Sequence, residues 1–409
     1  IHCLSARISR EKAFPGDKFR NYVMSRRSPA TRSYAGPAGA IHVLNASSMK
    51  KDLSFRLIPL LFAVLVCASG RAQVTTPREA SPAATFSQTI GISTVSVQYS
   101  RPSVKGREIW GALVPYGYNV QTFGAGKEAP WRAGANENTV VEFSHDAKVE
   151  GQAVPAGRYG LFFVVNKDDS GEVILSKDSR SWGSFWYDPA HDQLRAKIKL
   201  RSIAHTELLT YDFVNLTKNS GELVLNWEKK QFPVKVEFAV DDIVLANAAE
   251  ELKGTAGFNW LGYSSAATYA LQNKVGMEKG LAWIDQAIAQ NPSFATLNTK
   301  ADLLQLTGKT ADAEGIRKKA IGMANEAELN QYGYQLINEK KMDDAIKMLT
   351  LNTERHPESA NAWDSLGEAY ALKGDKDNAI KHFKKSLSLN PSAAIKANSE
   401  KYLKQLGAM

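Results

Sequence analysis

The sequence predicts a multidomain chain, an all-β, sandwich-like domain followed by an all-α array of helical repeats. Three observations carry this. Between about residues 85 and 240, apolar residues recur at every second position in short runs broken by Gly, Asn and Pro. From Asp241 onward the apolar stride lengthens to about 3.6 residues. Within that second half a pattern of large and small residues repeats, so that the stretch from Ala360 echoes the stretch from Glu326.

The chain opens with a segment of different character. Residues 1–48 precede Met49 and read as a non-native upstream extension, outside the fold. Residues 49–72 read as a secretory signal peptide: Met49-Lys50-Lys51 is basic, Leu57 to Ala68 is apolar, and Gly70-Arg71-Ala72 offers small residues before Gln73. The apolar run is shorter than the roughly 20 residues that span a bilayer, and no membrane span is expected elsewhere. Val64-Leu65-Val66-Cys67 places a bulky Val where lipidation of Cys67 asks for a small residue, so ordinary cleavage is the preferred reading over lipoprotein anchoring. The expected location is periplasmic or secreted.

Charge follows the same division. The formal net charge of +9 arises from twelve basic and three acidic residues within 1–72. The remaining chain holds 39 of each sign, against 51 basic and 42 acidic in the whole. A nucleic-acid role for the exported part therefore loses its electrostatic basis. Both cysteines, Cys3 and Cys67, also lie in the prefix, so a chain starting at Gln73 has no disulfide, thiolate zinc site or cysteine nucleophile.

Residues 73–84, rich in Thr, Pro, Ala and Ser, read as a flexible lead-in to the β domain of 85–240. Ile90 to Tyr99 alternates in period two, and Thr139 to Phe143 is a short strand. Tyr159 to Val165, a polar turn over Asn166 to Gly171, and Glu172 to Ser176 make a hairpin. Arg195 to Leu200, Thr206 to Asn215, Gly221 to Trp227 and Phe232 to Phe238 supply further strands. Many short strands with little helical periodicity predict a sandwich or barrel.

The helical part occupies 241–409. The unit from Ala360 carries Trp363, Leu366, Gly367, Tyr370, Ala379, Phe383 and Pro391. The unit from Glu326 places Leu329, Tyr332, Gly333, Leu336, Ala345, Leu349 and Pro357 at the same offsets. Weaker units start near Phe294 (Leu297, Ala301, Leu304, Ala313, Ala320) and Leu261 (Ala267, Leu271, Ile284, Ala287, Pro292). Small residues let paired helices approach, large ones fill the space between them, and Pro closes the second helix. This spacing resembles tetratricopeptide arrays, and implies a protein or peptide partner on the exposed groove.

Polar and aromatic residues crowd the loops of the β half. The ligand-binding candidates are Tyr99, Arg101, Lys105, Arg107, Trp131, Arg132, Asn136, Glu137, Trp182, Tyr187 and Asp188. Arginines can fork onto carboxylate or phosphate, and Trp110, Trp131, Trp182 and Trp186 can stack on a sugar or peptide face. The competing structural reading has the arginines pairing with Glu137 or capping carbonyls, and the aromatics filling the core. That reading is the more frequent outcome for such residues. Asp188, His191 and Asp192 invite a metal reading, but their spacing matches no closed site, and neither metal nor cofactor is expected. No nucleophile elbow, zinc-protease pair, phosphate loop or dinucleotide fingerprint is present, so no catalytic residue is assigned. His356 and His382 fall on repeat helices and read as solvated.

The loop motifs resemble the bacterial DUF2911 family, exported domains of unknown function. The runs that carry it are Tyr99-Ser100-Arg101-Pro102, Lys105-Gly106-Arg107, Leu113 to Gly117, Trp131-Arg132 with Gly134 to Glu137, Pro155-Ala156-Gly157 with Tyr159, and Trp182-Gly183 with Tyr187-Asp188. The family passes quickly from the Pro-Tyr-Gly stretch to the Trp-Arg stretch, whereas here Tyr118 to Pro130 reads as extra loop. That departure weakens any inference of a shared pocket shape. The resemblance implies no activity. The leading expectation is a protein- or peptide-binding scaffold of the bacterial envelope. The alternative is a glycan- or peptide-binding, even hydrolytic, site built from the Arg/Trp loops.

Overall fold

The computed structural model describes residues 77–409. The upstream extension, the export segment with Cys67 and residues 73–76 of the lead-in lie outside the described residues. No described helix is long and apolar enough to cross a membrane.

The β half contains twelve strands: β1 (Ala83–Ile90), β2 (Ser93–Ser100), β3 (Asn119–Val120), β4 (Glu128–Ala129), β5 (Val140–Phe143), β6 (Ala147–Val149), β7 (Gln152–Val154), β8 (Gly157–Val165), β9 (Ser170–Ser176), β10 (Asp192–Lys199), β11 (Arg201–Val214) and β12 (Ser220–Phe238). They form a six-stranded sheet in the order β1-β2-β5-β8-β9-β10, a four-stranded sheet β11-β12-β6-β7, and the small pair β3-β4. The two large sheets share one core. Val95, Val97, Leu161, Phe163, Val173 and Leu175 from the first meet Tyr211, Leu223, Leu225, Val234 and Val236 from the second. Period-two alternation produces this directly: Leu194, Ala196 and Ile198 of β10 turn inward while Arg195, Lys197 and Lys199 turn outward. Each large side chain so buried contributes about 1.5–3 kcal/mol.

Three strand assignments are corrected. The expected strand from Ile90 to Tyr99 begins only at Ser93, because Gly91 turns the chain back in left-handed backbone (φ 62°). The strand before that turn, β1, starts at Ala83, inside the expected lead-in. Its polar alternate positions and edge place in the sheet hid it. The expected strands at Gly221 to Trp227 and Phe232 to Phe238 are one strand, β12, that changes partner. It pairs with β11 up to Gln231 and with β6 from Val236, and Pro233, which has no N–H to donate, falls in the gap between the two ladders.

Ten helices follow among the described residues: α1 (Val240–Glu251), α2 (Trp260–Asn273), α3 (Met277–Gln290), α4 (Phe294–Leu306), α5 (Thr310–Met323), α6 (Glu326–Asn338), α7 (Met342–Arg355), α8 (Ala360–Lys373), α9 (Lys376–Leu387) and α10 (Ala393–Gln405). They pack as successive pairs, α2 with α3 through α8 with α9. The small residues act as expected of them. A Cβ on Gly333 would lie 2.6 Å from Leu349 of the paired helix, and one on Gly367 would lie 3.0 Å from the Phe383 ring. Helix starts are marked by side-chain caps on Ser293, Asn325, Ser359, Asp375 and Ser392. Such a cap is worth about 1 kcal/mol.

The first helix is fastened to the β domain. Val240 is buried in the β core, with Ile243 and Val244 against it. A Cβ on Gly91 would lie 2.5 Å from the Val240 side chain. Lys218 Nζ donates to Asp241 at 2.6 Å and to Asn273 of α2 at 2.8 Å, and Tyr269 donates to Asp241 at 2.7 Å. The hydrogen bond from Lys218, joined by that from Tyr269, holds the Asp241 carboxyl below its ordinary range.

His382 is not solvated, contrary to the sequence reading. It is buried between Trp363 and Tyr370, with ring centroids at 5.5 and 5.3 Å, and its Nδ1 has no partner among the described residues. Desolvation holds its pKa below the ordinary value. The unfolded chain therefore takes up a proton, at an ordinary pKa of about 6.5, before the folded one does. Stability is full above that value and falls as pH drops below it. We expect the unfolding midpoint in denaturant to fall between pH 7 and pH 5.5 by more in the wild type than in His382→Phe. Equal pH dependence in the two proteins would contradict the buried neutral ring.

Candidate functional site

The β domain encloses a cavity of about 550 Å³ where three loops and the strand β12 converge. Its lining includes five of the sequence candidates: Lys105, Arg107, Trp131, Arg132 and Asn136. The loop that carries the last three begins from a rigid anchor. Trp131 exchanges backbone hydrogen bonds with Phe163 of β8, both at 2.9 Å. Beyond it, Ala133 and Asn136 adopt left-handed backbone at φ 54° and 62°, and Lys105 does so at 47°. Such backbone is costly for a residue with a Cβ and persists only where surrounding contacts hold it. Here the hydroxyls of Tyr211 and Thr139 donate to the Ala133 carbonyl at 2.9 and 3.1 Å.

Arg132 threads between the loops. Its Nη1 donates to the Asn136 carbonyl at 2.5 Å and its guanidinium lies over the Phe185 ring at 5.0 Å. Gly183 makes this possible: its backbone is left-handed (φ 60°), and a Cβ there would lie 2.2 Å from the Arg132 Cζ. Arg132 makes no ion pair among the described residues, and burial pulls its pKa below the ordinary arginine value. Arg107 donates to the Val104 carbonyl at 3.1 Å and to the Ser103 carbonyl, which stiffens the loop but leaves its charge uncompensated.

The other candidates go elsewhere. Tyr99 is buried edge-on against Tyr211 at 4.7 Å, its hydroxyl accepting from the Tyr211 amide. Arg101 braces the two sheets, donating to the Leu209 carbonyl at 2.9 Å and the Thr210 hydroxyl at 2.6 Å. Glu137 pairs with Arg78 at 2.5 Å rather than with Arg101, Arg107 or Arg132. Trp182 lies on the surface beneath Arg78. Asp188 accepts from the Ala190 amide and caps a short 3-10 turn. Tyr187 is buried against Phe162, its hydroxyl donating to Asp192 at 2.8 Å and accepting from Arg195 at 2.8 Å. Tyr118 joins the same cluster through Glu172 and Arg195, and desolvation with the nearby carboxylates pushes both phenols well above their ordinary range. The suspected Asp-His-Asp grouping disperses, since His191 turns to Asp178 at 2.6 Å. Among the described residues, no three His, Cys, Asp or Glu side chains are gathered as metal ligands.

The extra loop from Tyr118 to Pro130 borders the cavity. It folds as the hairpin of β3 and β4, and Asn119, Gln121, Ala129 and Pro130 form one wall of the cavity. The Ala125 amide ties its tip to the Phe185 carbonyl at 2.7 Å. Phe123, 62% exposed, packs edge-on against Phe185 and Trp186 at 5.5 and 5.7 Å. Sequence reasoning also missed Ser184 and Trp227. Ser184 sits in the aromatic run that was singled out, whereas Trp227 arrives from a distant strand with no local signal.

These features define a two-sheet β domain bearing a loop-built cavity, followed by an array of paired helices. Residues 81–236 match the family model described as a protein of unknown function, DUF2911, and residues 360–393 match the tetratricopeptide-repeat model. The two matches fall in the order expected from the sequence. No curated protein matches it. Among solved structures, the helical part is similar to YrrB, described as a tetratricopeptide protein with an unusual peptide-binding site. The two are 18% identical, with 39% of this chain and 84% of that chain covered and a TM-score of 0.25. MamA is 18% identical over 40% of this chain and 92% of that chain, at a TM-score of 0.26. PilF of Pseudomonas aeruginosa is 20% identical over 40% and 70%, at 0.24.

Proposed function

We propose that this is an exported binding protein of the bacterial envelope whose helical array grips an extended segment of a partner protein. The observation that carries the reading is a column of polar side chains at one register of successive first helices. Asn298, Asn330 and Asp364 are the fifth residues of α4, α6 and α8, and Asn398 is the sixth of α10, with Asp302, Tyr334, Glu368 and Tyr402 one turn later. Cross-unit contacts make them spatial neighbours. Asn398 donates to Asp364 at 2.8 Å and Tyr334 to Glu368 at 3.0 Å across units, while within one unit Arg317 of α5 donates to Asn298 and Asp302 at 2.5 and 2.6 Å.

A side-chain amide offers one donor group and one acceptor, the complement of a peptide unit, so the three asparagines of the column suit an extended backbone. The Asn330 carbonyl oxygen is buried with no partner among the described residues. A buried acceptor in that state costs about 1–3 kcal/mol. Leu306 and Leu372, exposed and in matching register on α4 and α8, offer apolar contacts beside the column. Export rests on the basic, apolar and small-residue segments of 49–72.

The test is capture from envelope extracts with the full chain and with Asn330→Ala, followed by calorimetry with a synthetic peptide from an unstructured segment of the captured protein. We expect the peptide to bind the wild type and to bind Asn330→Ala about tenfold more weakly. A partner retained equally by both chains, or none enriched by either, would rule out this reading of the column.

A further inference from the structure

The β-domain cavity has a second and separate implication. The geometry points to a binding site for a small organic anion, a carboxylate or a phosphate, held by Lys105, Arg107 and Arg132. These three cations line the cavity and no Asp or Glu lines it with them. None of the three forms an ion pair among the described residues, and two carboxylates of the surrounding loops are turned to other partners. Glu137 is paired with Arg78, and Glu207 accepts from the Lys105 amide and contacts His205. Positive charge gathered around a concave, partly desolvated space, with no counter-charge, stabilises an anion placed within it.

The rest of the lining fits a small molecule. Asn119, Gln121 and Ser184 supply neutral polar groups, and Leu113, Val114 and Trp131 supply an apolar wall. The lining is thus mixed, polar groups facing an apolar wall, and cavities of about 300–1,000 Å³ hold a small ligand. The site is also built before anything binds. Arg132 is fixed by Asn136, Gly183 and Phe185, and Arg107 by two loop carbonyls, so little side-chain entropy remains to be lost. Arg132, whose charge burial disfavours, gains most from an anion beside it. The chain beyond residue 72 carries no net positive charge to draw a polyanion.

The experiment is titration of the full chain with citrate, with inorganic phosphate and with glucose at constant ionic strength, read by calorimetry and by the thermal midpoint. We expect citrate or phosphate, at concentrations up to about 10 mM, to raise the midpoint through binding. Glucose should not. Response to citrate alone assigns carboxylate chemistry, to phosphate alone phosphate chemistry, and to both an anion site that accepts either. Lys105→Glu reverses the charge of an exposed side chain and, with the ligand-free midpoint measured alongside to show that the variant is folded, should weaken binding at least tenfold. Lys105→Gln/Arg107→Gln/Arg132→Gln should abolish it. Failure of both anions to bind the wild type, or undiminished binding by Lys105→Glu, would overturn the assignment.

Discussion

Replacing Trp227 by Ala should remove about 3–5 kcal/mol from the stability of the β domain, measured by urea denaturation followed by tryptophan fluorescence. Trp227 is 1% exposed and sits at the centre of a ring cluster. It stacks on Trp131 at 5.7 Å and meets Trp110 edge-on at 5.8 Å, while Phe232 lies 5.4 Å from Trp110 and 5.0 Å from Phe163. Truncation leaves a cavity that these rings, anchored on strands of both sheets, cannot collapse to fill. One feature of the residue works against it: the indole N–H is buried without an acceptor among the described residues. Trp227→Phe sheds that cost along with part of the contact area, and should lose clearly less than Trp227→Ala. Because Trp131 lines the cavity and leans on Trp227, anion affinity should fall in the Ala variant as well. A loss below about 1 kcal/mol for Trp227→Ala would mean that the cluster is not the core of the domain.

The second large effect concerns the helical array. Phe383→Ala should destabilise it by about 3–5 kcal/mol, with a loss of far-UV circular dichroism that begins at lower denaturant than in the wild type. Phe383 is fully buried, stacked on Tyr402 of α10 at 5.1 Å, and faces Gly367 of α8. It therefore joins the α8–α9 pair to α10. In a linear stack each unit is stabilised by its neighbours, so the defect should propagate toward α6 and α7. Gly367→Ala is the informative control. Helix propensity alone favours Ala by about 1 kcal/mol. Against this, the new methyl would stand 3.0 Å from a ring that Tyr402 holds in place, and overpacking of that kind costs about 1–3 kcal/mol. We expect the net effect to be destabilising. A stabilised Gly367→Ala would show that the helices do not need the close approach.

The loops divide into legible and illegible parts for a physical reason. Trp182-Gly183 was visible as a motif, but only the path of the Arg132 guanidinium across Gly183 explains why glycine stands there. Arg101 and Arg132 look alike along the chain, each an arginine in a loop after an aromatic. One spends its donors on strand β11 and the other turns between the cavity loops. The fork of an arginine satisfies a carbonyl or a ligand equally well, so its residue type carries no information about which it meets. Tyr118 to Pro130 read as extra loop against the family pattern, and its strands, two residues long, are too short for any periodicity to register.

Local chemistry, written into the order of residues, was enough to determine the two modules. A stride of two residues buries one face of a strand, a stride near 3.6 buries one face of a helix, and small residues at matched offsets let helices pair. Contacts between residues distant in sequence decided the rest. They set the continuity of β12 across two partners, the burial of His382 between rings, the union of Lys105, Arg107 and Arg132 without a carboxylate, and the fastening of α1 to the β core. Periodicity specifies which face of an element is buried, while the partner of each face depends on where the whole chain folds back, and no short window of sequence holds that information.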